Sequence, residues 1–445
     1  MNKKLLVLLL ILTPYTHGNE LTALSDHELS KEVGQGLLTL QYQQGTNLTD
    51  SLGNTYNQSN LGFYKLGMEA IVELNANIKK LQLGCGGDNG AGACDLDIDN
   101  LALSGLPKNS DGTINYNYTS NDRTSSSAKI TNPFIQFAIK NPGSAATREV
   151  LGFRLSAEQI EGLLTLGTEN SSTPNGLNRF SGYMKTKEAS GVATTGARTM
   201  TYNDTNMAIN GIVQGRLLGS SSGTTCKDGF LDPCYNISYS SKDYNLNLSS
   251  TNAPFTIGST VVSGNRLTTV NLKGSGTVER IDFSGNLVAT VAGFLNLNKN
   301  VTGNITGLKT DITVNQNLGL IHALYLQNPA SLSLQKSAVL WPGAAAASQK
   351  GWWLAMEDQV ELGSLSPTTQ VAITNAVLQQ TIAGINADLT NNPRNCGNLL
   401  TGCVGGSDLV VGNVPMTTTL DFPLTNLTLT GQNFKPNCYG SLKFC

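Results

Sequence analysis

Apolar and polar residues alternate along much of this chain, and that two-residue period constrains its fold more than any other feature. Tyr235, Ile237 and Tyr239 alternate with Asn236 and Ser238, and Ile114, Tyr116 and Tyr118 alternate with Asn115 and Asn117. Met68, Ala70, Val72, Leu74 and Ala76 alternate with Glu69, Glu73 and Asn75, with Ile71 the exception. The longest run is Ile312, Val314, Gln316, Leu318, Leu320, His322, Leu324 and Leu326. Successive side chains of a strand point to opposite faces, so these runs read as half-buried strands. Clusters of Gly, Asn and Ser separate them. The expected fold is mainly β: a large antiparallel β-sandwich of Greek-key-like architecture, with a few short helices.

Helix signals are few. Ser25 and Glu28 form a capping box, with Leu24 and Leu29 as its hydrophobic staple, and predict a short helix ending near Gly34. Ser156 and Gln159 suggest a second box ahead of Ile160, Leu163 and Leu164. The clearest helix begins at Ser366-Pro367 and spans about residues 366–390. Val371, Leu378, Ile382, Ile385 and Leu389 form its stripe, and Asn392-Pro393 stops it. It reads as a packing helix.

Lys3 and Lys4 precede an apolar run from Leu5 to Leu12, followed by Pro14 and Thr16-His17-Gly18. This is the layout of a cleavable signal peptide, and the run is too short for a bilayer span of about 20 residues. Export agrees with the eight cysteines, which fall into four close pairs: Cys85 with Cys94, Cys226 with Cys234, Cys396 with Cys403, and Cys438 with Cys445. Spacing favours joining each to its near neighbour. Charged residues make up 13% of the chain and the net charge is −2, which argues against nucleic acid and anionic lipid as partners. The expected organisation is a signal peptide at 1–18, a capped helix and candidate donor strand at 19–45, and β-rich subdomains at 46–200 and 201–445. Residues 96–105 echo residues 422–431, although a chance match of two strand types is a simpler reading than duplication.

Catalytic chemistry is sparse. His27 lies in the short capped helix, and His322, on the apolar face of the longest run, reads as a hydrogen-bonded core residue. Gly219-Ser220-Ser221-Ser222-Gly223 fits G-x-S-x-G formally, but a polar loop leads into Cys226 where a nucleophile elbow needs a strand and a helix. Asp95, Asp97 and Asp99, with Asp88 in the adjoining Gly-rich loop, are a weak calcium candidate; a solvated acidic face is the simpler reading. Trp341, Trp352 and Trp353 suit either a carbohydrate platform or core packing. The expectation is a protein without catalytic residues or a cofactor.

Several stretches resemble the Fil-type (FilA-like) fimbrial subunits of Gram-negative bacteria. They are Leu24-Ser25-Asp26-His27-Glu28-Leu29-Ser30 with Gly34-Gln35-Gly36-Leu37-Leu38, then Ile78–Gly87 and Cys94–Asn100, and later Asp311–His322 and Gly351-Trp352-Trp353-Leu354. The resemblance implies an exported fimbrial or pilus protein, structural or adhesive. It would pass through the periplasm to the cell surface, with its own kind, other subunits and periplasmic assembly machinery as partners. Polymerisation by strand exchange is the mechanism expected of such a subunit, with Leu38, Leu40 and Tyr42 as the candidate donor strand. The same residues also read as an ordinary first strand. The chain is about three times the usual 100–150 residues of a single pilin-like domain, which suits a tip or accessory adhesin as well. An outer-membrane β-barrel and a secreted carbohydrate-active enzyme are the alternatives.

Overall fold

The computed structural model describes residues 37–430 apart from 88–89, 118, 168–172, 292, 294, 368, 406–407 and 426. The signal peptide, the N-terminal capped helix and the cysteines Cys438 and Cys445 lie outside the described residues. The first strands are β1 (Leu38–Gln44), β2 (Asn47–Thr49), β3 (Thr55–Asn57), β4 (Leu61–Met68), β5 (Ile71–Leu74), β6 (Ala76–Leu83), β7 (Leu96–Ser104), β8 (Ala128–Lys140) and β9 (Glu149–Thr165). All but the β2–β3 hairpin belong to a 12-stranded sheet.

From there the chain travels outward and back through four sheets. The outward pass is β10 (Leu177–Thr186), β11 (Ala189–Thr194), β12 (Arg198–Thr201) and β13 (Ile209–Arg216). It returns as β14 (Tyr235–Ser241), β15 (Asp243–Leu248), β16 (Asn252–Ile257) and β17 (Val261–Leu267). Pairings β13–β14, β12–β15, β11–β16 and β10–β17 make this one long antiparallel hairpin crossing sheets of 3, 5, 7 and 12 strands. A second excursion runs out through β18 (Thr269–Thr277) and β19 (Ile281–Val291). It returns through β20 (Leu295–Thr306), β21 (Lys309–Asn317) and β22 (Ala323–Leu326). The last comprises β23 (Ala330–Gln335), β24 (Gly351–Val360), β25 (Ser364–Ser366), β26 (Arg394–Asn398), β27 (Leu409–Pro415), β28 (Thr419–Thr425) and β29 (Thr428–Thr430). The pairings are mainly antiparallel, but β24, β25, β26, β27 and β28 each run parallel to a strand of an earlier pass.

Junctions between sheets bend the long hairpin without orphaning its backbone. Thr186 and Thr195 are both fully buried. The Thr186 hydroxyl accepts the Thr260 N–H at 3.1 Å, and the Thr195 hydroxyl accepts the Thr251 N–H at 3.1 Å. In each case a side chain replaces a lost ladder bond, which keeps a half-buried donor satisfied.

The sheets wrap a common core. β15 exposes Asp243, Asn245 and Asn247 and buries Tyr244, Leu246 and Leu248, while β28 buries Leu420, Phe422 and Leu424 and exposes the residues between them. These inward faces form one cluster that also holds Leu96, Leu177, Met200 and Ile209, so the core continues across residue 200. In the seven-stranded order β28-β21-β18-β16-β11-β25-β29, the two end strands are consecutive in sequence, joined by residues 426–427. A flat sheet would separate its first and last strands by about 29 Å, whereas such a link spans only about 10 Å. The sheet therefore curls until its edges meet. The helix Asn375–Asn391 packs against β27, the end strand of the five-stranded sheet, and against β13 of the three-stranded sheet. Gly384 permits that approach, since a Cβ there would lie 2.2 Å from Val414.

Several local expectations are corrected. The long helix starts at Asn375, not near Ser366, because Ser364–Ser366 pairs with β11 and β29 and Val371 bridges Thr195. The Ser156/Gln159 box forms no helix. Ser156 lies inside β9, paired to Phe134 on one side and Ser331 on the other, and two ladders outweigh a local capping preference. The longest alternating run breaks after Asn317, whose side chain accepts the Gly319 N–H and starts a 3₁₀ turn at Leu318–Leu320. Met68–Ala76 divides among β4, β5 and β6, and Ile114 makes only an isolated bridge to Lys108. Of the echoing segments, the first includes the continuous strand β7, with Asn100 at φ 49°, while the second is divided between β28 and β29.

Candidate functional site

Strand alternation on β1, β4, β8, β9, β23 and β24 aligns apolar side chains across the 12-stranded sheet. One rung reads Leu40, Leu66, Ile135, Leu155, Leu332 and Leu354, each paired with the next in register. The neighbouring rung reads Tyr42, Tyr64, Phe137, Phe153, Leu334 and Trp352. Tyr42 and Tyr64 lie 4.9 Å apart between ring centroids, and Phe153 meets Trp352 edge-on at 5.9 Å. Six strands carry this surface about 24 Å across the sheet.

Among the described residues the outer strands leave this face uncovered, while Leu332, Leu354 and Trp352 pack half-buried against the main core. Leu40 is 75% exposed, Tyr42 52%, Leu66 42% and Leu155 40%. A concavity of about 500 Å³ lies over the aliphatic rung, and Leu38, Ile130 and Ile160 extend its walls. On the opposite face Leu61, Phe63, Ala138, Val339 and Trp341 pack into a core of their own. Contiguous apolar surface of this kind marks an interaction site in a folded protein. The candidate donor residues Leu38, Leu40 and Tyr42 form the outermost column of the face. Their strand β1 is the sheet edge, pairing with β4 alone among the described residues.

The polar candidates are engaged elsewhere. The Lys80 ammonium sits between Asp97 and Asp99 at 2.6 and 2.9 Å, where a cation bound by those carboxylates would lie. Partial burial disfavours the Asp97 anion, but Lys80, Gln82 and Asn178 outweigh it and hold its carboxyl below the ordinary value. Asp95 turns away and accepts the Trp352 N–H at 3.0 Å. Asp88 lies outside the described residues. Buried His322 places Nδ1 2.6 Å from the Leu166 carbonyl oxygen. Ser221 of the G-x-S-x-G match accepts the Lys227 N–H at 2.8 Å. Trp341 and Trp353 are core residues at 1% exposure, and Trp352 alone joins the apolar face.

Of the near-neighbour disulfides expected from spacing, Cys85–Cys94, Cys226–Cys234 and Cys396–Cys403 are present. The remaining expected pair is not among them, because Cys438 and Cys445 both fall outside the described residues.

Sequence reasoning placed a strand at Leu38, Leu40 and Tyr42 but missed the rungs. Each strand's alternation is legible, whereas the register that aligns six strands joins residues as distant in sequence as Leu40 and Leu354. Fold and site together define a disulfide-pinned β protein with a large apolar sheet face beside an edge strand that, among the described residues, pairs on one side only. No protein-family model, curated protein or solved structure matches the chain in comparison.

Proposed function

We propose that this protein is an exported structural or assembly subunit of a cell-surface fimbria, polymerising by strand exchange at β1. The observation that carries the reading is the pair of exposed apolar rungs ending at an edge strand. An open edge offers unpaired backbone groups, and its alternate side chains offer anchors, which are the two requirements of strand addition. A neighbouring copy covers the face in the fibre, and periplasmic assembly machinery covers it before export. The polar exterior of β15 and β21 favours this reading over a lipid-embedded barrel, whose strands are apolar outside and polar within.

The test is the double variant Leu38→Asp, Leu40→Asp. Both side chains are exposed, at 61% and 75%, so the single chain is expected to remain folded and oxidised. In the fibre the same carboxylates would be buried without partners, and polymerisation is expected to fail. Normal filaments from the double variant would show that β1 is not the donor. Loss of folding would make it an internal strand, with assembly using another edge.

A further inference from the structure

Residues 217–234 join β13 to β14 in the three-stranded sheet, the last that the long hairpin reaches. Within that connection the Gly229 N–H donates to the Asp232 carbonyl at 3.0 Å, and the Asp232 N–H returns to the Gly229 carbonyl at 3.3 Å. Phe230 and Leu231 are therefore the two residues at the tip of a tight turn, and they are 96% and 85% exposed. Leu231 holds φ at 65°, a left-handed backbone that turns ordinarily give to glycine or asparagine. A leucine there strains the backbone and places a large apolar group in water. The base of the turn is fixed. The Cys226–Cys234 disulfide closes the loop beneath it. Buried Asp232 pairs with Arg216 at 3.1 Å and accepts the Leu217 and Gly219 N–H groups at 3.1 and 2.7 Å. Those bonds hold the end of β13 beside the turn, and Leu218 between them is 86% exposed. Phe230, Leu231 and Leu218 thus make an apolar knob on a preorganised backbone, with little freedom left to lose on contact.

We propose that the knob of one copy seats in the apolar concavity on the 12-stranded sheet of the next, a head-to-tail contact. The inference rests on the assembly reading for its second copy and names the part of that copy that fills the concavity. At about 500 Å³ the concavity has the volume of a small-ligand pocket, room for the phenylalanine and a leucine. Leu66, Ile135 and Leu155 are exposed in its wall. One contact covers both apolar patches, each of which is costly to leave in water. The seven- and five-stranded sheets lie between the two along the long hairpin, which keeps a chain's knob away from its own concavity. A contact between different patches of identical chains propagates, and it builds a filament unless the rotation closes a ring. Phe230 alone brings about 200 Å² of surface, well under the about 1,600 Å² of a standard interface, so association is expected to depend on concentration. Edge pairing at β1, whose Leu38 borders the concavity, adds to it.

The test is sedimentation velocity of the full chain at rising concentration. Phe230→Asn with Leu231→Gly removes the apolar tip and gives the left-handed position to glycine, so this knob variant is expected to stay folded and oxidised. The parent should self-associate, and the knob variant should do so at least about thirtyfold more weakly, the loss of one anchoring contact. Leu155→Glu puts a charge into the concavity and should weaken association likewise. Mixed together, the knob variant offers an intact concavity and Leu155→Glu an intact knob, so the two should pair one to one and stop there. A parent that stays monomeric, a knob variant that associates like the parent, or a mixture of the two folded variants that forms no dimer would each overturn the inference. Normal filaments from the knob variant would overturn it and leave strand exchange at β1 standing. Normal filaments from the Leu38→Asp, Leu40→Asp chain, with none from the knob variant, would end the β1 reading and keep this contact. Binding of the parent, but not of the knob variant, to neutral phosphatidylcholine vesicles in place of self-association would assign the knob to a lipid surface and overturn the inference as well.

Discussion

Gln316→Leu tests whether the seven-stranded sheet closes on itself. Gln316 is fully buried on β21 among apolar neighbours. Its Oε1 accepts the Leu427 N–H at 3.0 Å, and its Nε2 donates to the Leu427 carbonyl at 3.3 Å. Leu427 is the described residue linking β28 to β29, and it is 3% exposed. Leucine keeps most of the volume and all of the apolar contact but removes both partners. A buried group left unsatisfied costs about 1–3 kcal/mol, so two of them predict a loss of about 2–5 kcal/mol after some relaxation. Urea unfolding followed by circular dichroism and tryptophan fluorescence together would measure it and check that the two transitions coincide. Hydrogen exchange adds a local readout: the Leu427 amide should be protected in the parent and open in the variant. A stability change below about 0.5 kcal/mol, with that amide still protected, would refute closure through Gln316.

Glu357 predicts a pH dependence. Burial raises its pKa, against the pull of the Ala345 N–H and Arg154, with Asp358 adding to the rise. The folded state therefore binds more protons than the unfolded state from the ordinary glutamate value up to the raised one, and this group's contribution to stability falls as pH rises through that window. The difference in unfolding free energy between the parent and Glu357→Gln, measured by urea from pH 4 to 7, should shift steadily in favour of the variant; a flat difference contradicts it. Non-reducing peptide mapping should recover Cys85–Cys94, Cys226–Cys234 and Cys396–Cys403, and a bridge such as Cys94–Cys396 would overturn that pairing. The same map tests the pairing of Cys438 with Cys445, which rests on spacing alone. Removing any one of the three observed loops should cost about 2–3 kcal/mol in the chain-entropy account.

What the chain determines locally is legible in its residues. Alternation at Tyr235–Tyr239 becomes β14, and Leu378, Ile382, Ile385 and Leu389 do form the buried stripe of a helix. Cysteines seven to nine residues apart find each other because short loops close easily. Tertiary structure alone decided the rest. Ser156 and Gln159 offer a helix start, yet β8 and β23 impose a strand. Leu40 and Leu354 belong to one rung only because four strands between them hold register. A strand's pattern states which side chains share a face; hydrogen bonds to distant partners decide which faces meet and which edge remains open.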